Sequence, residues 1–179
     1  MAAGGGSDVY IVDSTGDIVV ELSGQGTDRV TVNAHIDWTL GSNIERLNYA
    51  GSFGGSATGN GLANLMQGGS GVQAFFGLAG NDTLTGGGGN DTLDGGSGND
   101  VMLGEGGNDT YHVDASGDIT QESSALATEI DLVYSSVNRT LNTNIEQLTL
   151  TGTAISGAGN NSHNLITGNA EHNSLLGVA

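Results

Sequence analysis

The feature that most constrains this chain is a block of four consecutive nine-residue units between Gly77 and His112. The units read GLAGNDTLT, GGGGNDTLD, GGSGNDVML and GEGGNDTYH. Their sixth place is always aspartate and their eighth place is always large and apolar: Asp82, Asp91, Asp100 and Asp109, then Leu84, Leu93, Met102 and Tyr111. A disordered glycine-rich linker would not keep these residues at a fixed spacing, so the block predicts a folded repeat.

Each unit predicts a six-residue turn followed by a very short strand. Such a turn passes through positive φ angles, which glycine adopts without a Cβ clash and asparagine tolerates better than most residues. In the strand, the eighth residue points inward and its neighbours point outward. Two units then form one coil, so we expect Asp82 to stack with Asp100 and Asp91 with Asp109.

The stacked aspartates indicate a cation site. Strands in adjacent coils lie about 4.8 Å apart, and two carboxylates at that separation repel each other unless a cation lies between them. Calcium accepts six to eight oxygen ligands at about 2.3–2.6 Å with flexible geometry, whereas magnesium retains water and requires an octahedron. Calcium is therefore the expected ligand.

The four units resemble the GGxGxDxUx repeats of the repeats-in-toxin (RTX) family. The resemblance implies an all-β, right-handed parallel β-roll or β-solenoid with calcium ions between stacked glycine-rich turns. If the family's ligand pattern applies here, each ion takes backbone carbonyls from two turns and the aspartates of both. The implied first set is Leu78, Gly80, Asp82, Gly95, Ser97 and Asp100, the second is Gly87, Gly89, Asp91, Gly104, Gly106 and Asp109, and the third is Gly96, Gly98, Asp100, Val113, Ala115 and Asp118.

Composition agrees with a cation-binding protein. The chain has 33 glycines, 20 acidic residues against three basic ones, no cysteine, and a formal net charge of −17. Such a charge argues against nucleic acid as a partner, because phosphate binding needs lysine and arginine. The absence of cysteine is compatible with an extracellular protein stabilised by metal instead of disulfides. No apolar run is long enough to predict a membrane span.

A longer repeat extends over the whole chain. DVYIVDSTGDI (8–18) matches DTYHVDASGDI (109–119), about 101 residues later. We therefore predict one repetitive solenoid over 1–179, with strand-forming alternation at 19–40 and 120–141 and turns at 43–45 and 144–146. Its parts are two irregular β repeats (1–58 and 122–158), the calcium block (77–121) and degenerate nonapeptides (59–76 and 159–179).

The degenerate nonapeptides replace the sixth-place aspartate. Asn64, Asn164 and Asn173 stand there in three units, and asparagine can hydrogen-bond within a turn without charge. These turns are predicted to need little or no metal. Gln73 replaces the aspartate in a fourth unit, which predicts a weak half-site through Gly69, Gly71, Gly86, Gly88 and Asp91.

Two kinds of function fit this sequence. The first is a non-enzymatic, calcium-folded extracellular module from a longer adhesin, surface-layer or filament-like protein. The second is the accessory roll of a secreted RTX enzyme whose catalytic domain lies outside the chain. The first is favoured, since no HExxH motif, nucleophile elbow or carboxylate constellation outside the turns is present. The family resemblance implies bacterial type I secretion.

End-to-end self-association into filaments is a further expectation. The chain begins within a unit at 3–8 and the sequence from 177 to 179 opens another. A parallel solenoid exposes unpaired backbone groups on each uncovered terminal coil. Contacts between two such unlike ends would be heterologous and would not close.

Overall fold

A computed structural model of the protein describes residues 4–123 and 128–177. These residues form 18 short strands and no helix, and all strand pairs are parallel. The strands build a β-solenoid of about nine turns. The all-β solenoid predicted from the sequence is confirmed, and the predicted features at 1–3, 124–127 and 178–179 lie outside the described residues.

The strands are arranged in three parallel sheets. The first sheet contains β1 (Val9–Val12), β2 (Arg29–Val32), β4 (Arg46–Tyr49), β6 (Leu65–Gln67), β8 (Thr83–Gly88), β10 (Val101–Gly106) and β12 (Ile119–Gln121), in that order. The second contains β3 (Trp38–Thr39), β5 (Gly55–Thr58), β7 (Gln73–Phe76), β9 (Thr92–Asp94), β11 (Thr110–Val113), β13 (Leu132–Ser135), β15 (Gln147–Leu150) and β17 (Leu165–Thr167). The third contains β14 (Arg139–Thr140), β16 (Ser156–Ala158) and β18 (Ser174–Leu176).

Within the nonapeptide block, equivalent positions of adjacent coils lie 18 residues apart in the sequence. Thr83 pairs with Val101 in the first sheet, and Thr92 pairs with Thr110 in the second. The eighth-place side chains are completely buried: Leu84, Leu93, Met102 and Tyr111. Each unit thus contributes one large side chain to a narrow core between the sheets, as the repeat predicts.

Outside the block, the coil length varies. Val9 pairs with Arg29, and Arg29 pairs with Arg46, so a coil with an offset of 20 is followed by one with an offset of 17. In the second sheet the offset is 22 from β11 to β13 and 15 from β13 to β15. A long coil is followed by a short one in both copies, so the strands remain stacked while the turns differ.

The strands of the irregular repeats are shorter than the alternation predicted. Val30 and Val32 are buried in β2, but the strand ends at Val32 and the next begins at Trp38. Residues 33–37 turn the corner between the first and second sheets. The alternation of apolar and polar residues therefore extends beyond the end of the strand and into the corner at 33–37.

The turns predicted at 43–45 and 144–146 lie slightly earlier in the structure, at 42–43 and 143–144. Asn43 and Asn144 have φ angles of 65° and 63°, which is the left-handed region that asparagine tolerates. The next residues, Ile44 and Ile145, are completely buried. Each turn leads directly into a strand of the solenoid, β4 or β15.

Candidate metal centre

In each turn of the nonapeptide block, the second and fourth residues have positive φ angles. The second place of the four units has φ angles of 79°, 100°, 76° and 74°, and the fourth has 125°, 116°, 151° and 132°. Glycine occupies six of these eight positions, and Leu78 and Glu105 occupy the others. At Gly98, an added Cβ would overlap the carbonyl oxygen of Gly80 in the coil below. The glycine pattern thus reflects both dihedral angle and close contact between coils.

The sixth-place aspartates stack through the backbone. Asp82 N–H donates to Asp100 Oδ1 at 2.7 Å, and Asp91 N–H donates to Asp109 Oδ1 at 2.7 Å. All four side chains are at most 1% exposed. The stacking of Asp82 with Asp100 and of Asp91 with Asp109 follows the sequence prediction.

The fifth-place asparagines stack in the opposite direction. Asn99 N–H donates to Asn81 Oδ1 at 3.0 Å, and Asn108 N–H donates to Asn90 Oδ1 at 2.9 Å. An aspartate accepts from the previous coil, whereas an asparagine accepts from the next one. The invariant Asn-Asp pair therefore ties each turn to the coils on both sides.

The second carboxylate oxygen of each aspartate is buried without a hydrogen bond. Among the described residues, Asp82 Oδ2, Asp91 Oδ2, Asp100 Oδ2 and Asp109 Oδ2 find no hydrogen-bond partner. Burying a charged oxygen without a partner is costly, and a hard cation would satisfy it. The donor set of carboxylates and nearby carbonyls fits calcium.

Burial also raises the pKa values of these carboxyl groups. It raises the pKa of Asp82, Asp91 and Asp109 to about 6, although a backbone hydrogen bond to each carboxylate opposes the rise. The pKa of Asp100 is raised too, chiefly by burial and then by neighbouring aspartates. Without a cation, these carboxyl groups therefore bind a proton more tightly in the folded turns than in the unfolded chain.

In the first two predicted ligand sets, three carbonyl groups also accept hydrogen bonds between coils. Leu78 C=O accepts from Ser97 N–H at 2.8 Å, and Ser97 C=O accepts from Gly80 N–H at 3.1 Å. Gly106 C=O accepts from Gly89 N–H at 2.8 Å. A carbonyl oxygen has two lone pairs, so the bonds to Ser97 and Gly106 leave one for an ion. Leu78 C=O also accepts a hydrogen bond from the Ser97 hydroxyl at 3.4 Å. The first two ligand sets remain predictions.

The third predicted set differs from the other two. Asp118 is buried, but its Oδ1 accepts from Asp100 N–H at 3.0 Å and its Oδ2 accepts from the N–H groups of Asp114 and Ala115 at 3.2 and 3.0 Å. Both oxygens are already satisfied by the backbone. The set of Gly96, Gly98, Asp100, Val113, Ala115 and Asp118 remains a prediction and has less need of an ion.

Asparagine amides occupy the degenerate turns. Asn60 Nδ2 donates to the carbonyls of Gly41 and Ile44, both at 2.8 Å, and Asn160 Nδ2 donates to those of Asn142 and Ile145 at 2.6 and 2.8 Å. An amide N–H group thus lies among turn carbonyls, where it provides the positive end of a dipole. The low metal requirement predicted for the turns with Asn64, Asn164 and Asn173 remains a prediction.

The half-site at Gln73 has an amide-to-carbonyl hydrogen bond, as the asparagine turns do, and a backbone bond to an aspartate, as the aspartate stack does. Gln73 Nε2 donates to Phe53 C=O at 2.9 Å, and Gln73 N–H donates to Asp91 Oδ1 at 2.7 Å. Its Oε1 is buried and, among the described residues, has no hydrogen-bond partner. The weak site with Gly69, Gly71, Gly86, Gly88 and Asp91 remains a prediction.

One residue of the aspartate stack was missed by the sequence analysis. Asp109 N–H donates to Asp131 Oδ1 at 2.7 Å, across 22 residues. Asp131 is buried, and burial raises its pKa to about 7. Counting one coil of the regular length from Asp109 leads to position 127, so the repeat spacing could not identify Asp131.

Comparison with known proteins agrees with this geometry. Residues 74–111 match the family model of the RTX calcium-binding nonapeptide repeat, in four copies. The endo-1,3-1,4-beta-glycanase ExsH of Rhizobium meliloti (strain 1021) is 38% identical over 73 residues, which cover 41% of this chain and 15% of the relative. No solved structure matches the chain significantly. In the described ranges, no helix is long and apolar enough to cross a membrane. Residues 74–111 are therefore RTX repeats, and such repeats bind calcium.

Proposed function

We propose that this chain, which contains RTX calcium-binding repeats, is a structural module of a secreted bacterial protein that folds on calcium binding after export. The main supporting observation is the row of buried aspartate Oδ2 atoms that find no hydrogen-bond partner in the described residues. Metal binding to such a site contributes directly to folding free energy. A calcium-poor cytosol keeps the chain unfolded for export, and extracellular calcium then folds it.

Burial supports a non-enzymatic role for the acidic turns. The aspartates of the block are at most 1% exposed, so a polymeric substrate cannot reach them. Their geometry suits an enclosed ion better than general acid–base catalysis, which needs contact with the reacting group. We propose that the module belongs to a longer adhesin, surface-layer or filament-like protein.

The second candidate function is an accessory roll attached to a secreted enzyme. The similarity to the ExsH glycanase favours it. The chain spans only 15% of that relative, so the similarity concerns one segment of a much longer protein. In this case, the catalytic domain lies outside the chain and the roll assists its folding or export.

A hydrolysis assay tests whether the chain itself is catalytic. We expect the purified chain, folded in calcium, to release no reducing ends from a mixed-linkage 1,3-1,4-β-glucan, because its buried carboxylates cannot contact the polymer. The chelated chain provides the background rate. Hydrolysis that requires calcium and exceeds this background would contradict a non-enzymatic module.

We also propose that folded chains stack end to end. In the described residues, β18 pairs with β16 on one side only, and its Leu175 and Leu176 are 45% and 60% exposed. An uncovered parallel strand can pair with another chain. Because the net charge of −17 opposes association, calcium should promote it. Light scattering should increase with calcium and fall with chelator, and a strict monomer at high protein concentration would contradict stacking.

A further inference from the structure

A cluster of three carboxylates lies where the nonapeptide block meets the second irregular repeat. One carboxylate oxygen from each of Asp109, Glu122 and Asp131 lies within 4.8 Å of the other two. Asp109 ends the last glycine turn of the block, whereas Glu122 and Asp131 lie beyond the residues that match the RTX family model. None of the ligand sets predicted from the nonapeptides includes Glu122 or Asp131.

The stacking of the coils explains how Glu122 enters this cluster. Gly86, Gly104 and Glu122 follow one another at the regular coil spacing, so Glu122 takes the first place of the next turn in the same stack. An added Cβ at Gly104 would overlap Asp109 Oδ2, the Tyr111 hydroxyl oxygen and Glu122 Oε1. These three oxygen atoms therefore converge on one point beside Gly104, and only glycine leaves that point open.

An unsatisfied oxygen points into the cluster. Asp109 is 1% exposed, and its Oδ2 is buried with no hydrogen-bond partner among the described residues. Its Oδ1 is already occupied by Asp91 N–H at 2.7 Å. The completely buried Tyr111 donates its hydroxyl hydrogen to Glu122 Oε1, which holds Glu122 over Asp109. The free oxygen thus requires a positive partner at the convergence point.

The same arrangement occurs in the first irregular repeat. Asp8, Glu21 and Asp28 form a second cluster with carboxylate oxygens within 4.8 Å of one another. Asp8 N–H donates to Asp28 Oδ1 at 2.8 Å, and the Tyr10 hydroxyl donates to Glu21 Oε2. Asp8 Oδ2 is also buried and, in the described part of the chain, without a hydrogen-bond partner.

The two clusters retain their geometry although the coils that form them differ in length. The bridged aspartates are 20 residues apart in the first cluster and 22 in the second. A chance contact in one irregular loop would not survive this difference. The recurrence indicates a role for the three carboxylates that is independent of the exact turn length.

We propose that each cluster binds one calcium ion through three carboxylates, as a second class of cation site in this protein. The predicted nonapeptide sites combine two carboxylates with backbone carbonyls, whereas these sites add the carboxylate of a glutamate. The additional negative charge favours a multivalent cation, and the close oxygen atoms suit a hard ion. In the second cluster, Asp109 also belongs to the second predicted ligand set, so the ion of this cluster would link the nonapeptide block to the longer turn that follows it.

Counting bound ions by native mass spectrometry tests this proposal. Glu21→Gln and Glu122→Gln keep the side-chain length and the tyrosine hydrogen bond, but each removes one anion. We expect each variant to bind one calcium ion fewer than the wild-type chain, and the double variant two fewer. The exposed Glu105 lies outside the cluster, so Glu105→Gln is the matched control and should retain the wild-type number.

Two results would overturn the proposal: a double variant with the wild-type ion count, or an equal loss in the Glu105→Gln control. A wild-type chain that binds no calcium would instead overturn the proposed function. Circular dichroism in calcium checks that each variant is folded. If a glutamate variant does not fold, terbium provides the second measurement, because Tyr10 contacts the first cluster, which lies apart from the nonapeptide block. Tyr10→Phe should lower tyrosine-sensitised terbium emission, and unchanged emission would contradict a site there.

Discussion

Removing calcium at neutral pH should unfold the nonapeptide block, and acidification without calcium should restore much of its β structure. Burial raises the pKa of Asp82, Asp91 and Asp109 from 3.8 to about 6. The folded state therefore binds protons more tightly than the unfolded state. The stability that proton binding at these carboxyl groups contributes is fully present below about pH 3.8, and it is lost as the pH rises through about 6.

The expected effect is large enough to decide whether the block folds. A rise in pKa from 3.8 to about 6 corresponds to about 3 kcal/mol for each carboxylate. Three such groups are comparable with the whole stability of a typical domain, about 5–15 kcal/mol. Calcium removes this penalty because it replaces the proton as the partner of the buried oxygen.

Circular dichroism of the chelated chain, followed between about pH 7 and about pH 4, measures the acid effect. Calcium added at neutral pH should produce the same β signal. Sodium chloride is the control, because it screens charge but does not supply a divalent cation for the buried carboxylates. It should have a much smaller effect on the β signal. A neutral-pH spectrum that chelator leaves unchanged would contradict calcium-coupled folding.

The nonapeptide block could be predicted almost completely from its sequence. Its period fixes the coil length, the buried column and the stacking of Asp82 with Asp100, because each place in the unit has one backbone conformation. Positive φ angles at the second and fourth places follow the same logic, even where Leu78 and Glu105 replace glycine. Strict repetition leaves few alternative registers.

Positions beyond the block were less predictable because strand pairing, not residue number, keeps the coils in register. Asp131 continues the aspartate stack after 22 residues, and Asp28 follows Asp8 after 20. A turn can therefore lengthen while the hydrogen bond between the aspartates of adjacent coils is preserved. Likewise, sequence spacing placed Asp118 in a metal site, but it could not show that backbone N–H groups satisfy both of its oxygens.

Asp100→Asn should have opposite effects with and without calcium. Asn keeps the oxygen that accepts Asp82 N–H at 2.7 Å, but it removes a buried charge whose pKa is raised chiefly by burial. The chelated variant should therefore be more stable than the chelated wild type. Asn64 shows that the stack accepts an amide, since its Nδ2 donates to Ile44 C=O at 3.2 Å.

In calcium, the order should reverse. Asp100 belongs to both the first and third predicted ligand sets, so its substitution should raise the calcium concentration at half-maximal folding by at least about tenfold, or about 1.4 kcal/mol. The melting temperature of the calcium-loaded variant should fall below that of the wild type. Thermal unfolding in calcium measures this effect, and the circular dichroism of the chelated chains between about pH 7 and about pH 4 measures the opposite effect without calcium.

Asp94→Asn provides the matched control for this reversal. Asp94 is the ninth residue of its unit and points away from the core, where its Oδ1 accepts Gly96 N–H at 3.1 Å. Both substitutions remove one negative charge and differ by six positions in the chain, so a general effect of net charge would be the same in both. Equal changes in calcium response for Asp94→Asn and Asp100→Asn would show that the buried aspartates are not the ligands. A reversal in Asp100→Asn alone would assign calcium binding to the row of carboxylates inside the solenoid.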